Sequence, residues 1–197
     1  MNNLLISLSQ IIPIKGIIQV GSNTGQECSI FKKYTNNIIC FEPIPHIFEI
    51  LKRNNNDIIC FNLGLGEKNE IKKMYIASNN GESSSFLKPL NHLQYYNVSF
   101  NETIDLEIRR FDSLDININN YNVLISDTQG YEINVFMGFG DKLNNIDGII
   151  VEYIDSQLYE NDSSLENIDN YLKNYNFHLK EKTIDGEGWG NALFIKN

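Results

Sequence analysis

Three polar side chains each close a short apolar run in this 197-residue chain. The runs are rich in Ile, Val, Phe and Cys, and they are followed by Glu42, Asn62 and Asp127. If the runs are parallel strands, their carboxyl ends meet at the crevice where open α/β sheets bind ligands. We therefore expect these side chains to surround one site. A carboxylate there can accept hydroxyl protons or act as a general base.

A glycine-containing turn precedes them, in the segment QVGSNTG (19–25). Gly21 and Gly25 allow positive φ and close approach of the backbone to a ligand. The helix expected after this turn would add free N–H groups at its N-terminus. The spacing differs from G-x-G-x-x-G, which disfavours binding of a dinucleotide pyrophosphate. A tight turn without a ligand is the alternative.

Glu42 lies about twenty residues further on, where a carboxylate can accept hydrogen bonds from both hydroxyls of an adenosine ribose. Pro43 and Pro45 fix the backbone beside it, whereas the alternative is a solvated acid at a strand end. Asn62 is suited to reading an adenine edge. Asp127 and Glu132 are five residues apart across a strand-to-helix turn, so both can face one pocket. For Glu132, the alternative is a favourable acid in the first helical turn.

The elements expected to position these residues alternate between strand and helix. Continuously apolar strands indicate burial on both faces, and this order indicates a parallel sheet. The strands are predicted at 17–21, 38–42, 58–62, 123–127 and 148–153, and the helices at 26–34, 45–54, 129–143 and 164–175. Segments 177–183 and 192–196 predict a terminal hairpin. The fold class is therefore α/β and Rossmann-like, with a mostly parallel sheet and an antiparallel edge hairpin.

Two further regions complete the expected organisation. Residues 1–16 carry a helical stripe of Leu and Ile and are predicted to form a helical extension that docks on a domain spanning 17–197. Between predicted strands at 71–77 and 103–110, the polar segment 79–101 is a candidate lid or acceptor loop. An ordinary ordered insertion is its alternative.

The charge, the apolar runs and the cysteines of the chain limit its expected binding partners and cellular location. The net charge is −9, and Lys and Arg form only short pairs, so we expect no nucleic-acid partner. No run approaches 18 apolar residues, so no membrane partner is expected either. Three cysteines, none in a C-x-x-C pair, are expected to be buried reduced thiols, which indicates a reducing, cytoplasmic location.

Several of these motifs together resemble the FkbM family of S-adenosylmethionine (SAM)-dependent methyltransferases. The resemblance covers about residues 17–153, and its segments are GSNTGQE, CFEPIPHIFEIL, SSSF (83–86), RRFDSLD and LISDTQGYEINVF. It implies a class I methyltransferase fold with a seven-stranded sheet. It also implies O-methylation of hydroxyls on natural products and sugars.

The resemblance assigns a set of residues to the cofactor: Gln19, Gly21, Ser22, Asn23 and Gly25 near its methionine and ribose, Glu42 and Pro43 at the ribose diol, Asn62 and Leu63 at the adenine, Ser84 and Ser85 closing over it, and Asp127 facing the sulfonium or acceptor. Two positions depart from the family. Many members carry Asp where this chain has Gln19, which cannot offer a negative charge to the cofactor ammonium. Many also read Asp-Val-Glu-Gly where this chain has Asp127-Thr128-Gln129-Gly130.

Methyl transfer to a sugar or alkyl hydroxyl is helped by a general base, because such a hydroxyl is a poor nucleophile at neutral pH. The candidate bases are Asp127, then Glu132, then His92, although His92 can equally be a solvent-exposed loop residue. Glu152 either lines the acceptor side or is a strand-end acid. Carboxylates also suit a divalent metal, but their spacing does not show that they converge, so no metal is assigned.

The sequence thus predicts a SAM-dependent methyltransferase that O-methylates a hydroxyl of a sugar, glycan or other small molecule. The alternatives are a non-catalytic SAM- or nucleotide-binding module of the same fold, an NAD-linked enzyme of similar architecture and a nucleic-acid methyltransferase. The acceptor's identity and the formation of a homo-oligomer stay open.

Overall fold

The computed structural model describes residues 1–197, apart from the side chains of Leu93 and Gln94. Its strands, in chain order, are β1 (Ile17–Val20), β2 (Ile38–Phe41), β3 (Ile59–Phe61), β4 (Gly64–Leu65), β5 (Glu70–Ile76), β6 (Glu102–Arg109), β7 (Val123–Ser126), β8 (Gly148–Ile154), β9 (Phe177–Lys182) and β10 (Trp189–Lys196). Its α-helices are α1 (Asn2–Ser9), α2 (Cys28–Phe31), α3 (Pro45–Asn54), α4 (His92–Tyr96), α5 (Glu132–Phe139) and α6 (Leu165–Lys173).

Seven strands form the main sheet in the spatial order β3-β2-β1-β7-β8-β10-β9. The first five are parallel to their neighbours, whereas β10 runs antiparallel to both β8 and β9. The structure therefore confirms the predicted α/β fold, its mostly parallel sheet of seven strands and its antiparallel edge pair. All parallel strands point their carboxyl ends to the same edge, which is where the polar residues of the sequence motifs lie.

The central strands are buried on both faces, as their continuous apolar runs predict. In β1, Ile17 packs with the layer that contains α1 and α2, while its neighbour Ile18 packs with the layer that contains α5 and α6. Helix α1 contributes Leu4 and Leu8 to the first layer, and both are fully buried. Each layer places apolar side chains on one side of the sheet, so the sheet is held rigid beneath the site.

The middle of the chain forms a second sheet of three strands in the order β4-β6-β5. Two of them correspond to the predicted strands at 71–77 and 103–110, and the short β4 was not predicted. The segment between β5 and β6 is predicted from the sequence to be a polar loop. Two isolated β-bridges, Tyr75–Ser85 and Pro89–Tyr159, connect it to the rest of the domain. It also contains helix α4.

Two predicted helices are shorter than expected. The helix predicted at 26–34 is α-helical only at α2, because the N–H groups of Lys33 and Tyr34 bond to carbonyls three residues back. The helix predicted at 129–143 begins at Glu132, because Gln129 and Gly130 have φ of 56° and 90°. After α5, the chain continues as a 3₁₀ helix at 140–145. The four-residue α2 weakens the expectation that a helix N-terminus supports ligand binding after the glycine turn.

Within the described residues, no helix has both the length and the apolar character needed to cross a membrane.

Candidate functional site

A cavity of about 720 Å³ lies at the carboxyl edge of the main sheet. Its walls come from the ends of β1, β2, β7 and β8, the start of β10 and the segment 79–98. This volume is in the range of small-molecule sites, about 300–1,000 Å³. The residues predicted from sequence that line it are Gly21, Ser22, Asn23, Glu42, Pro43, Leu63, Ser84, His92 and Asp127.

The turn after β1 brings the ends of two neighbouring strands into direct contact. Gly21 has a φ of 78°, and a Cβ atom there would lie 1.8 Å from the carbonyl oxygen of Asp127. Only glycine fits this combination of backbone conformation and close approach. Gly25 lies further back, where a Cβ would meet Asn55 and Leu51. The two glycines therefore shape the turn, and only Gly21 reaches the cavity wall.

Glu42 connects the end of β2 to this turn through both carboxylate oxygens. Its Oε2 accepts a hydrogen bond from the backbone N–H of Asn23 at 2.9 Å, and its Oε1 accepts one from Ile44 at 2.8 Å. Burial raises the pKa of Glu42 to about 7, and the two backbone hydrogen bonds act in the opposite direction. A carboxylate oxygen can accept more than one hydrogen bond, so both oxygens retain capacity for ligand hydroxyls.

Of the two residues assigned to the adenine, Leu63 lines the cavity and Asn62 does not. Asn62 is exposed, and its Nδ2 donates to the carbonyl oxygens of Glu42 and Pro43, each at 2.9 Å. It therefore braces the backbone that carries the acid. Leu63 is half-buried and contributes an apolar surface to the cavity.

A hydrogen-bonded group of polar side chains lies on the other side of the cavity. Gln129 donates through Nε2 to Oδ1 of Asp127 at 2.9 Å and to Oε2 of Glu152 at 2.6 Å. Tyr159 donates to the Oε1 of Gln129 at 3.1 Å or to the carbonyl oxygen of Ser83 at 2.7 Å. Gln129 thus holds the carboxyl groups of the half-buried Asp127 and the buried Glu152 at fixed positions.

Burial is the main cause of the altered acidity of these two carboxyl groups. It raises the pKa of Asp127, with a further increase from the charge of Glu27 and a decrease from the Gln129 hydrogen bond. Burial, followed by the charge of Asp127, also raises the pKa of Glu152 well above its ordinary value. An acid of raised pKa is a stronger base when ionised, so Asp127 is suited to accept a proton.

Glu132 lies behind the turn and is fully buried. Its Oε1 accepts hydrogen bonds from the backbone N–H and the hydroxyl of Thr128, at 2.9 and 3.0 Å, and from the N–H of Gly130 at 3.2 Å. Burial raises its pKa to about 7. Glu132 therefore shapes the turn that presents Asp127, and it does not itself form part of the described cavity wall.

His92 opens α4 and is buried, which differs from the solvent-exposed alternative. Its ring packs against Tyr159 and Phe100, with centroid separations of 4.4 and 5.0 Å. Burial lowers its pKa, which favours the neutral imidazole. Asp127 and His92 are thus the two candidate bases that line the cavity.

The two predicted serines act mainly through the backbone. Ser84 lines the cavity, and its hydroxyl accepts a hydrogen bond from the N–H of Ala77 at 3.0 Å. Ser85 donates to the carbonyl oxygen of Gln129 at 2.8 Å. The middle segment is therefore fastened to the 127–130 turn and forms one wall of the site.

The cavity lining is acidic. It includes six acidic side chains, at Glu27, Glu42, Glu82, Asp127, Glu152 and Asp185, whereas the described lining contains no Lys or Arg. Met1 also belongs to the lining, and the positive charge of the N-terminus lowers the pKa of Asp127. Such a lining favours ligands that carry positive charge or none. In the part of the chain that the structure describes, no three His, Cys, Asp or Glu residues converge as a metal site.

Some residues of the site were not assigned from the sequence. Glu27 follows Gly25 by two residues, so an acid directly after the glycine turn could have been predicted as a site residue. Trp189, the only tryptophan, follows a glycine-rich segment and also lines the cavity with Asn191. Asn191 pairs with Glu152 across β8 and β10. Trp189 and Asn191 belong to β10, at the antiparallel edge of the sheet. Their position beside the cavity depends on the strand order, which the sequence alone does not give.

The strand order, the cavity at the carboxyl edge and the buried acid at the end of β2 define a class I SAM-dependent methyltransferase. A family model described as the methyltransferase FkbM domain matches residues 19–179, and the chain belongs to this family. S-adenosylmethionine is accordingly its methyl donor.

The chain is similar in sequence to one characterised relative and similar in fold to several solved structures. The chain is 26% identical over 173 residues to the 2-O-methyltransferase NoeI of Sinorhizobium fredii (strain NBRC 101917 / NGR234), covering 81% of this chain and 71% of that protein. Its fold resembles the ribosomal protein L11 methylase of Lactobacillus delbrueckii subsp. bulgaricus, with a TM-score of 0.58, 12% identity and coverage of 100% and 77%. Magnesium protoporphyrin IX methyltransferase (ChlM) of Synechocystis PCC 6803 gives a TM-score of 0.58, 6% identity and coverage of 100% and 80%.

Proposed function

We propose that this methyltransferase O-methylates a hydroxyl group of a sugar, glycan or another small polyhydroxylated molecule. The observation that carries the proposal is the position of Asp127, a half-buried acid on the cavity wall that Gln129 holds in place. An oxygen nucleophile gains most from such a base, because an alcohol does not ionise at neutral pH.

The residues of the cavity fit SAM. The excess of acidic side chains in the lining matches a positively charged ligand, and the oxygens of Glu42 can accept hydrogen bonds from the ribose hydroxyls. The glycine turn borders the methionine part, and Leu63 offers an apolar contact for the adenine. When bound, SAM supplies an electrophilic methyl group on a sulfonium.

The chain's own residues then position the acceptor and accept its proton. Asp127 takes up the proton of the attacking hydroxyl, while Gln129 keeps its carboxylate oriented. Glu132 keeps the turn in shape through its bonds to Thr128 and Gly130. Most of the rate enhancement comes from this positioning, since a displacement of this kind needs the reacting atoms aligned and about 3 Å apart.

The remaining surface of the cavity suits a small neutral acceptor. Trp189 and Tyr96 present aromatic rings that can pack on the apolar faces of a sugar, and Asn191 offers an amide to its hydroxyls. The acidic lining disfavours nucleic acid, in agreement with the net charge of −9. The resemblance to a 2-O-methyltransferase supports oxygen as the atom that is methylated.

A cytoplasmic location is part of the proposal. Cys28 and Cys40 are buried free thiols, with their sulfur atoms 3.7 Å apart, and Cys60 is partly buried and also free. Unpaired thiols at this separation are compatible with a reducing compartment.

The proposal is tested by incubating the protein with SAM and a panel of glycosides and polyols, and measuring S-adenosylhomocysteine formation. We expect turnover with at least one hydroxylated acceptor and an O-methyl product by mass spectrometry. Measurable SAM binding without turnover on any acceptor would instead favour a non-catalytic binding module.

A further inference from the structure

Gln19 lies in β1, two residues before Gly21, and it is not part of the cavity lining. Its side chain is buried, with 1% exposed. Its Oε1 lies 3.8 Å from the thiol of Cys40, and its Nε2 donates to Oε2 of Glu27 at 3.3 Å. The amide of Gln19 is therefore an internal support whose outer end contacts Glu27.

Glu27 is half-buried and lines the cavity two residues after Gly25. The nearest base along the chain, Lys32, pairs with Asp57 at 2.7 Å. Among the described residues, no ion pair includes Glu27. Its charge raises the pKa of Asp127, which lines the same cavity at the end of β7. A positively charged group of a ligand bound in the cavity can therefore form an ion pair with the partly desolvated carboxylate of Glu27.

The other acids of the lining lie elsewhere. Glu42 is at the end of β2, and Glu82 follows Gly81, which packs against Ile44 and Ile47 on that same side. Asp185 lies at the far rim, where Asn191 donates to its Oδ2 at 2.7 Å. Among the acids of the described lining, Glu27 is the one that directly follows the glycine turn.

We propose that Glu27 is the residue that binds the α-ammonium of SAM, and that Gln19 positions its carboxylate. This assignment rests on the proposed function, in which the ribose lies at Glu42 and the transferred methyl lies near Asp127. A ligand extended between these two acids passes the glycine turn, and its amino-acid end then lies beside Glu27. The negative charge that Gln19 lacks is thus supplied eight residues later.

The test compares two ligands that share an adenosine and a thioether sulfur. S-adenosylhomocysteine carries the ammonium, whereas 5′-methylthioadenosine lacks the whole amino-acid part. By calorimetry, we expect Glu27→Gln to weaken S-adenosylhomocysteine binding about tenfold, the scale of a hydrogen bond to a charged group at a partly exposed site. Binding of 5′-methylthioadenosine should change by less than about twofold. Glu49→Gln removes the same charge from an exposed position on α3 and serves as the control.

The outcomes separate the two proposals. Unchanged S-adenosylhomocysteine affinity in Glu27→Gln overturns the assignment of Glu27, and so does an equal loss for both ligands, which would indicate a structural role. If the wild-type protein binds neither ligand, the placement of SAM in this cavity fails, and the assignment fails with it. A Gln19→Leu variant should weaken only S-adenosylhomocysteine, and by less than Glu27→Gln, because the carboxylate stays but loses its support.

Discussion

The side-chain amide of Gln129 donates to Oε2 of Glu152 at 2.6 Å, and the same Nε2 atom reaches Oδ1 of Asp127 at 2.9 Å. One neutral amide therefore lies between two carboxyl groups in a buried part of the cavity. Gln129 is also one of the positions where the sequence departs from the FkbM resemblance. In this protein, an acid would be surrounded by two others, so the amide avoids repulsion among three carboxylates.

The first prediction concerns Gln129→Glu. We expect the variant to lower the free energy of unfolding by about 1–3 kcal/mol at pH 8, because a third buried carboxylate loses a donor and adds like charge. The effect should shrink toward pH 5, where protonation relieves the repulsion. Urea unfolding at both pH values measures it. Gln157→Glu makes the same change at an exposed residue that also has positive φ, 52°, and is the matched control. A loss of stability independent of pH would contradict the explanation by charge.

The second prediction concerns Glu42 and its pKa of about 7. The ribose hydroxyls bind best to the ionised carboxylate, so we expect S-adenosylhomocysteine affinity to rise between pH 6 and 8. Glu42→Gln should flatten this rise, and Glu42→Ala should weaken binding at pH 8 by about 1–3 kcal/mol. Calorimetry across this range is the measurement, with Glu102→Gln on the exposed face of β6 as the control. An unaltered dissociation constant in Glu42→Ala would remove the ribose assignment.

The sequence predicts the fold well because the central strands are buried on both faces, which leaves an unmistakable apolar pattern. It also predicts which strand ends carry acids, since parallel strands share one edge. The sequence does not predict which of those residues contact one another. Tyr159 bonds to Gln129 and to Ser83, which lie 30 and 76 residues away along the chain, and no local periodicity encodes such contacts.

The sequence also predicts helices α2 and α5 to be longer than they are, again because long-range contacts decide the structure. Residues around both have helix-compatible side chains, but the turns that precede them are set by neighbouring strands. Gln129 adopts a φ of 56° because its side chain is held by two carboxyl groups and its carbonyl by Ser85. Tertiary hydrogen bonds thus override the local preference at the turn that carries the site.

The third prediction separates the two candidate bases that line the cavity. Asp127→Asn should reduce kcat by about 10²–10⁴-fold on an active acceptor, because the amide cannot accept the proton. Its melting temperature should not fall, since the substitution removes a half-buried charge, and S-adenosylhomocysteine should still bind. A wild-type kcat in Asp127→Asn, with a large loss in His92→Ala, would transfer the role of base to His92.

The last prediction concerns Glu132, whose pKa is raised from 4.5 to about 7 in the folded protein. A carboxyl group with a raised folded pKa contributes stability below its unfolded pKa, and this contribution is lost as the pH rises through the folded pKa. The loss therefore falls between about pH 4.5 and 7, and for a shift of this size it amounts to about 3 kcal/mol. Glu132→Gln cannot titrate, so its unfolding free energy should vary less with pH over that window than that of the wild type.

Glu42, with the same direction of shift, steepens the pH dependence in both proteins, and His92, with a lowered pKa, opposes it at the acidic end. Both groups are common to the two proteins, so the difference between the two stability curves reports the titration of Glu132 together with its effect on Glu152, whose pKa the charge of Glu132 raises. Guanidinium unfolding at half-unit steps from pH 4.5 to 8 provides these curves. Parallel curves would mean that Glu132 keeps its ordinary acidity when folded. The bonds from Thr128 and Gly130 would then have to offset its burial completely.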